Sequence, residues 1–103
     1  MTYAFIQDVP ANEEIYRQVK QRLGTAAPAG LICHVAIPHA GGLRYVDVWE
    51  TREQWEHYRV DIVEPAVDVV LDGLGIPHDH SMVRFEEFEP VDVWLGSAVP
   101  TPA

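Results

Sequence analysis

The chain has 103 residues, 48% hydrophobic and 22% charged, the composition of one globular domain with a single modest core and no room for two. Sixteen acidic residues against seven basic ones leave a formal charge of −9, and Lys20 is the sole lysine, so the cationic face that nucleic acid or an anionic membrane would require is missing. The lone Cys33 forms no internal disulfide, the first residues lack a signal-peptide pattern, and no window approaches about 18 apolar residues; a cytoplasmic protein with neither nucleic acid nor membrane as partner is expected.

The alternation of Tyr3, Phe5, Gln7 and Val9 with Ala4, Ile6 and Asp8 predicts a first strand, ended by Pro10. Asn12 is placed to cap a helix whose first turn carries Glu13 and Glu14, whose Ile15, Val19 and Leu23 share a face, and which Gly24 stops. Leu31–Ile37 is an apolar run too short for a helix, and Leu43–Glu50 holds Tyr45, Val46, Val48 and Trp49; the Pro38–Gly42 turn between them makes the pair an antiparallel hairpin. Thr51 and Gln54 form a capping box that opens a second helix, with Trp55, Tyr58, Ile62, Ala66 and Val69 on one face. Pro65 removes the bond to the Asp61 carbonyl, so a kink near 61–65 is expected, after which Val67, Val70, Leu71 and Leu74 continue the apolar face. Ser81–Phe88 is the last main strand, Val91–Leu95 a short edge strand, and 96–103 a flexible tail.

The order βαββαβ predicts a single α+β domain over 1–103, ferredoxin-like, with a four-stranded antiparallel sheet and two helices on one face. Its other face stays apolar and uncovered, and the simplest cover is a second copy packed sheet to sheet, a homodimer.

An apolar strand bearing a histidine (Leu31–Ile37), a glycine turn, and Tyr45–Thr51 running at once into Arg52–Arg59 and a proline-broken helix together resemble the dimeric α/β-barrel superfamily, in particular its small proteins related to antibiotic-biosynthesis monooxygenases. The resemblance spans roughly residues 2–94. It implies a dimeric barrel and a range of chemistry on that fold: cofactor-free quinone-forming oxygenases, haem-degrading enzymes, polyketide cyclases, lactone isomerases and members without assigned activity. Haem-degrading members use a histidine of the second helix with an asparagine and a tryptophan of the sheet. His57 stands in the second helix here, but the only asparagine, Asn12, opens the first.

His34 is the leading candidate for chemistry, because a histidine inside an apolar strand needs partners for both ring nitrogens. If hairpin partners have numbers with an odd sum, Leu31, Cys33, Val35 and Ile37 share an apolar face with Val46 and Val48, while His34 shares the other with Tyr45, Asp47 and Trp49. That register segregates polar from apolar better than its alternative. It sets Asp47 beside His34, where the carboxylate orients the imidazole as a general base, or where the two simply form a satisfied structural pair. Tyr45, Trp49, Trp55 and Tyr58 are candidate walls for a flat ring ligand, or core. His78 and His80, two apart in a loop that His39 could approach, are too unspecific a pattern to predict a metal, and His57, between Glu53 and Asp61, reads as a solvated face.

Two functions are therefore expected in competition. One is an enzyme without metal or organic cofactor, of monooxygenase, cyclase or isomerase type, acting on a small aromatic or polyketide-like compound with His34 as base and Asp47 as its orienter. The other is a non-catalytic dimeric binding or interaction module. A cavity beside His34 on the helix side of the sheet separates them.

Overall fold

A computed structural model describes residues 2–80 and 84–96. Four strands, β1 (Tyr3–Val9), β2 (Leu31–His39), β3 (Gly42–Trp49) and β4 (Arg84–Phe88), form one antiparallel sheet in the order β2-β3-β1-β4. Helix α1 (Glu13–Leu23) follows β1, and α2 (Arg52–Tyr58) and α3 (Glu64–Gly73) lie between β3 and β4. The α+β ferredoxin-like arrangement is the one the element order predicts.

Local chemistry sets each boundary. The Asn12 side chain accepts from the Ile15 amide at 2.8 Å, and the Gly24 amide, at φ 87°, returns to the Lys20 carbonyl at 3.1 Å. Pro38 is tolerated within β2 because β2 is an edge strand, where a missing ladder donor costs little. His39 pairs with Gly42 across a two-residue turn, Ala40 and Gly41, both at positive φ. Gly42 is required for a different reason: a Cβ there would stand 2.2 Å from the Val9 carbonyl oxygen.

The odd-sum register holds from Cys33 to His39: His34 pairs with Asp47, Cys33 with Val48, Val35 with Val46. A bulge between Leu31 and Cys33 shifts it, so that Leu31 pairs with Trp49. Leu31 is thereby moved off the face of Cys33, Val35 and Ile37, where alternation placed it, and packs against the core of Phe5, Trp49 and Trp55.

The kink is present and takes the form of a π-helical turn over Arg59–Val63, with the Glu64 amide reaching the Arg59 carbonyl and Pro65 in the first turn of α3. One extra residue per turn rotates everything after it. Val63 packs on the core in place of Ile62, and Val70 is buried as expected. Ile62 and Val69, expected inward at strict helical spacing, are 45% and 48% exposed, and Leu74, expected on the same apolar face, is 47% exposed. Val91–Leu95 is not a strand; its Val91 and Trp94 side chains are fully exposed. Of the expected last strand, 81–83 lie outside the described residues, as does most of the expected tail, and β4 begins at Arg84.

Both helical segments cover the face of Phe5 and Trp49. The opposite face presents Val35, Ile37 and Phe88, each more than 40% exposed, beside Cys33, Val46 and Val48. No helix among the described residues is long and apolar enough to cross a membrane.

Candidate functional site

The covered face is not solidly packed. Helix α1 buries none of its residues, and the space beneath it is a cavity of about 770 Å³ between the sheet, α1, the α2–α3 segment and the loop 76–80. The six residues singled out in the sequence, His34, Tyr45, Asp47, Trp49, Trp55 and Tyr58, all line it.

At one end stands a chain of polar contacts. His34 Nδ1 lies 2.5 Å from Asp47 Oδ1, and the Trp49 indole N–H donates to Asp47 Oδ2 at 3.1 Å. On its other side, His34 Nε2 lies 3.0 Å from the Tyr16 hydroxyl. Strand pairing puts Asp47 opposite His34, and the period-two alternation of β3 brings Trp49 to the same face two residues on. Asp47, 4% exposed, is the buried charge of this site, and both of its oxygens are engaged. An ionised carboxylate only accepts, so Nδ1 of His34 carries the proton on that side; in the neutral ring Nε2 is then bare and accepts from the Tyr16 hydroxyl.

The walls are aromatic. Tyr16 and Tyr45 flank the imidazole with ring centroids 6.1 and 5.4 Å away, and Trp49 meets Trp55 and Tyr58 at 5.5 and 5.7 Å. Burial raises the phenol pKa of Tyr16, Tyr45 and Tyr58, with the negative charge of Asp47 adding to it at each, so all three are neutral hydrogen-bonding groups. Among the described residues, the indole N–H of Trp55 is a buried side-chain donor with no acceptor, although Trp55 is on the cavity wall.

Tyr16 was not singled out in the sequence, although it shares the i, i+3, i+7 stripe of Val19 and Leu23; that spacing sets its ring on the inner side of the helix but names no partner for its hydroxyl. Arg59 on the cavity wall was missed as well: its pairing with Glu56 (3.0 Å) has ordinary i,i+3 spacing, but its pairing with Glu64 (2.5 Å) depends on the π-turn, which has no sequence signature of its own.

His78 and His80 meet, but on a carboxylate: both Nε2 atoms lie against Asp68 Oδ1 of α3, at 2.8 and 3.0 Å. His39 is elsewhere, beside Asp8 at the hairpin end. No group of three His, Cys, Asp or Glu side chains among the described residues is arranged to hold a metal ion.

His78 faces acceptors on both sides, the Ile76 carbonyl on Nδ1 (3.1 Å) and Asp68 on Nε2, and only the imidazolium donates to both. Its pKa is raised, first by that carbonyl and then by Asp68, with Asp72 adding. A raised folded pKa contributes stability that is full below the unfolded value of about 6.5 and is lost as pH climbs through the higher folded one. Amide-exchange protection of the loop 76–80 is therefore expected to fall from mildly acidic to mildly alkaline pH. His78→Ala should flatten that dependence.

Among solved structures, the chain resembles a candidate antibiotic biosynthesis monooxygenase of Chloroflexus aurantiacus (14% identity, 91% of this chain and 97% of that one, TM-score 0.57). It also resembles a Mycobacterium tuberculosis protein (16%, 90% and 98%, 0.56) and a candidate antibiotic biosynthesis monooxygenase of Deinococcus radiodurans (15%, 95% and 100%, 0.55). No protein-family model and no curated protein sequence matches it. At such identities the likeness is one of architecture: this chain has the ferredoxin-like fold of antibiotic-biosynthesis-monooxygenase-like proteins.

Proposed function

We propose that this protein is a homodimeric, cofactor-independent enzyme that takes a small aromatic or polyketide-like compound into the cavity, where His34, oriented by Asp47, serves as general base. The observation that carries the reading is the cavity of about 770 Å³ ending on a histidine–carboxylate pair. A structural pair holding an interface needs no such space beside it. Tyr45, Trp49, Trp55 and Tyr58 would stack on or wall a flat ring, and the unpaired Trp55 N–H offers a donor to a ligand oxygen.

Compounds of this class acidify their own C–H or O–H bonds through conjugated carbonyls, so one positioned base in an apolar site generates the anion. That anion is the common first intermediate of oxygen insertion from dioxygen, of ring closure and of isomerisation. The names of the Chloroflexus aurantiacus and Deinococcus radiodurans neighbours favour the first of these.

The redox-neutral first step can be tested alone, as hydrogen–deuterium exchange at the acidic C–H of 2-tetralone, followed by NMR. Catalysed exchange is expected, with a drop of about 10²- to 10⁴-fold in His34→Asn and little change in binding. Exchange no faster than in buffer, or undiminished in His34→Asn, would overturn the assignment; tight binding without exchange would leave a dimeric binding module.

A further inference from the structure

We infer that Tyr16 is the residue that exchanges a proton with the ligand, as the outer member of a Tyr16–His34–Asp47 relay, and that the group it meets is a neutral phenol or enol hydroxyl. This rests on the reading of His34 as base and changes how that base reaches its substrate.

The argument starts from valence. His34 has two nitrogens; Asp47 holds Nδ1 at 2.5 Å and the Tyr16 hydroxyl holds Nε2 at 3.0 Å. Neither is left for a ligand. Tyr16 projects from α1, whose residues line the cavity without being buried in it, and its ring is steadied by Tyr45 at 5.6 Å. With the His34 ring neutral, the Tyr16 hydrogen is committed to Nε2, so what Tyr16 offers the cavity is oxygen lone pairs, an acceptor that suits an O–H donor.

Transfer then balances without any further reactant. The ligand hydroxyl gives its proton to Tyr16 Oη as the Tyr16 hydrogen passes to His34 Nε2. The products are a ligand oxyanion, a neutral tyrosine and an imidazolium whose Nδ1–H remains on the Asp47 carboxylate. Tyr16 never has to persist as a phenolate, which agrees with the upward shift that burial and Asp47 impose on it.

The charges around the cavity explain why the ligand should arrive neutral. Arg59 is held by Glu56 and Glu64, Arg52 pairs with Glu87 at 3.3 Å, and Lys20 is exposed, while Asp47 sits beneath the imidazole. A ligand already anionic would find no unpaired buried cation among the described residues and would face Asp47. One that becomes anionic only as His34 becomes cationic is matched at that moment.

The probe is 2-naphthol, which turns strongly acidic on ultraviolet excitation and, shielded from water, emits as naphtholate only when an acceptor is hydrogen-bonded to it. Binding is followed separately by thermal shift. Wild-type protein is expected to show naphtholate emission, and both Tyr16→Phe and His34→Asn to bind 2-naphthol yet lose about tenfold or more of it, with the double variant no worse than either. Tyr16→Phe that keeps the emission while His34→Asn loses it would overturn the relay and leave His34 a direct base. Emission that survives both substitutions, or is absent from wild type, would overturn both readings. Loss of binding in Tyr16→Phe would make the hydroxyl a binding contact and likewise overturn the relay.

Discussion

Asp47→Ala is expected to destabilise the fold by about 3 kcal/mol or more, while Asp47→Asn keeps most of the stability and loses the chemistry. In the alanine variant the His34 Nδ1–H and the buried Trp49 indole N–H both lose their acceptor, in a position 4% exposed where water does not replace it. At about 4–8 °C per kcal/mol for a domain of this size, the melting temperature should fall by at least about 12 °C. Asparagine is isosteric. Its oxygen still accepts from Trp49, but its amide now donates to His34 Nδ1, which moves the ring proton to Nε2 and turns it toward the Tyr16 oxygen. A base carrying its proton on the working nitrogen cannot accept another, so turnover should fall by about three to four orders of magnitude. The ¹⁵N shifts of the His34 ring report the tautomer directly, and an unchanged pattern in Asp47→Asn would refute this account.

The second large effect concerns the bare side of the sheet. If two copies close over it, Val35→Asp combined with Ile37→Asp should convert a dimer into a monomer, read by sedimentation at micromolar concentration. Val35 and Ile37 are 48% and 41% exposed in the single chain. With about half of each side chain left to bury, each is worth about 1 kcal/mol in an interface, and a symmetric dimer holds two copies of both, so losing all four raises the dissociation constant by about 1,000-fold before any cost of burying carboxylates. The effect on the isolated chain should be small, because neither side chain packs in its core. A wild-type protein that sediments as a monomer would remove the dimer from the proposal. The cavity, which lies on the other face, would stand.

Much of the site was readable because strand pairing is a strict rule. Once the hairpin was recognised, parity alone decided whether His34 faced Asp47 or an aliphatic side chain, and the clean segregation of Cys33, Val35, Ile37, Val46 and Val48 chose the register that is observed. The same rule failed at Leu31, since a bulge adds a residue without any marker in the sequence. Along the second helix Pro65 announced an interruption but not its kind. A π-turn and a simple kink are equivalent at the level of a missing N–H, yet they differ by one residue of phase, enough to put Val63 in place of Ile62 on the inner side and to turn Val69 outward.

What the sequence by itself determined is what short-range chemistry controls: the capped ends of α1, the N-cap of α2, the antiparallel hairpin and the parity that joins His34 to Asp47; that the hairpin closes in two residues, with β2 running on through Pro38 to His39, came from the structure. Tertiary structure alone decided that α1 stands off the sheet and leaves a cavity, that Tyr16 crosses it to take the second nitrogen of His34, and that His78 and His80 converge on Asp68. Those contacts join residues 10 to 18 apart in different elements, and no periodicity within one element encodes them. They depend on how far one rigid helix stands from a sheet, a distance fixed by the packing of all the other side chains at once.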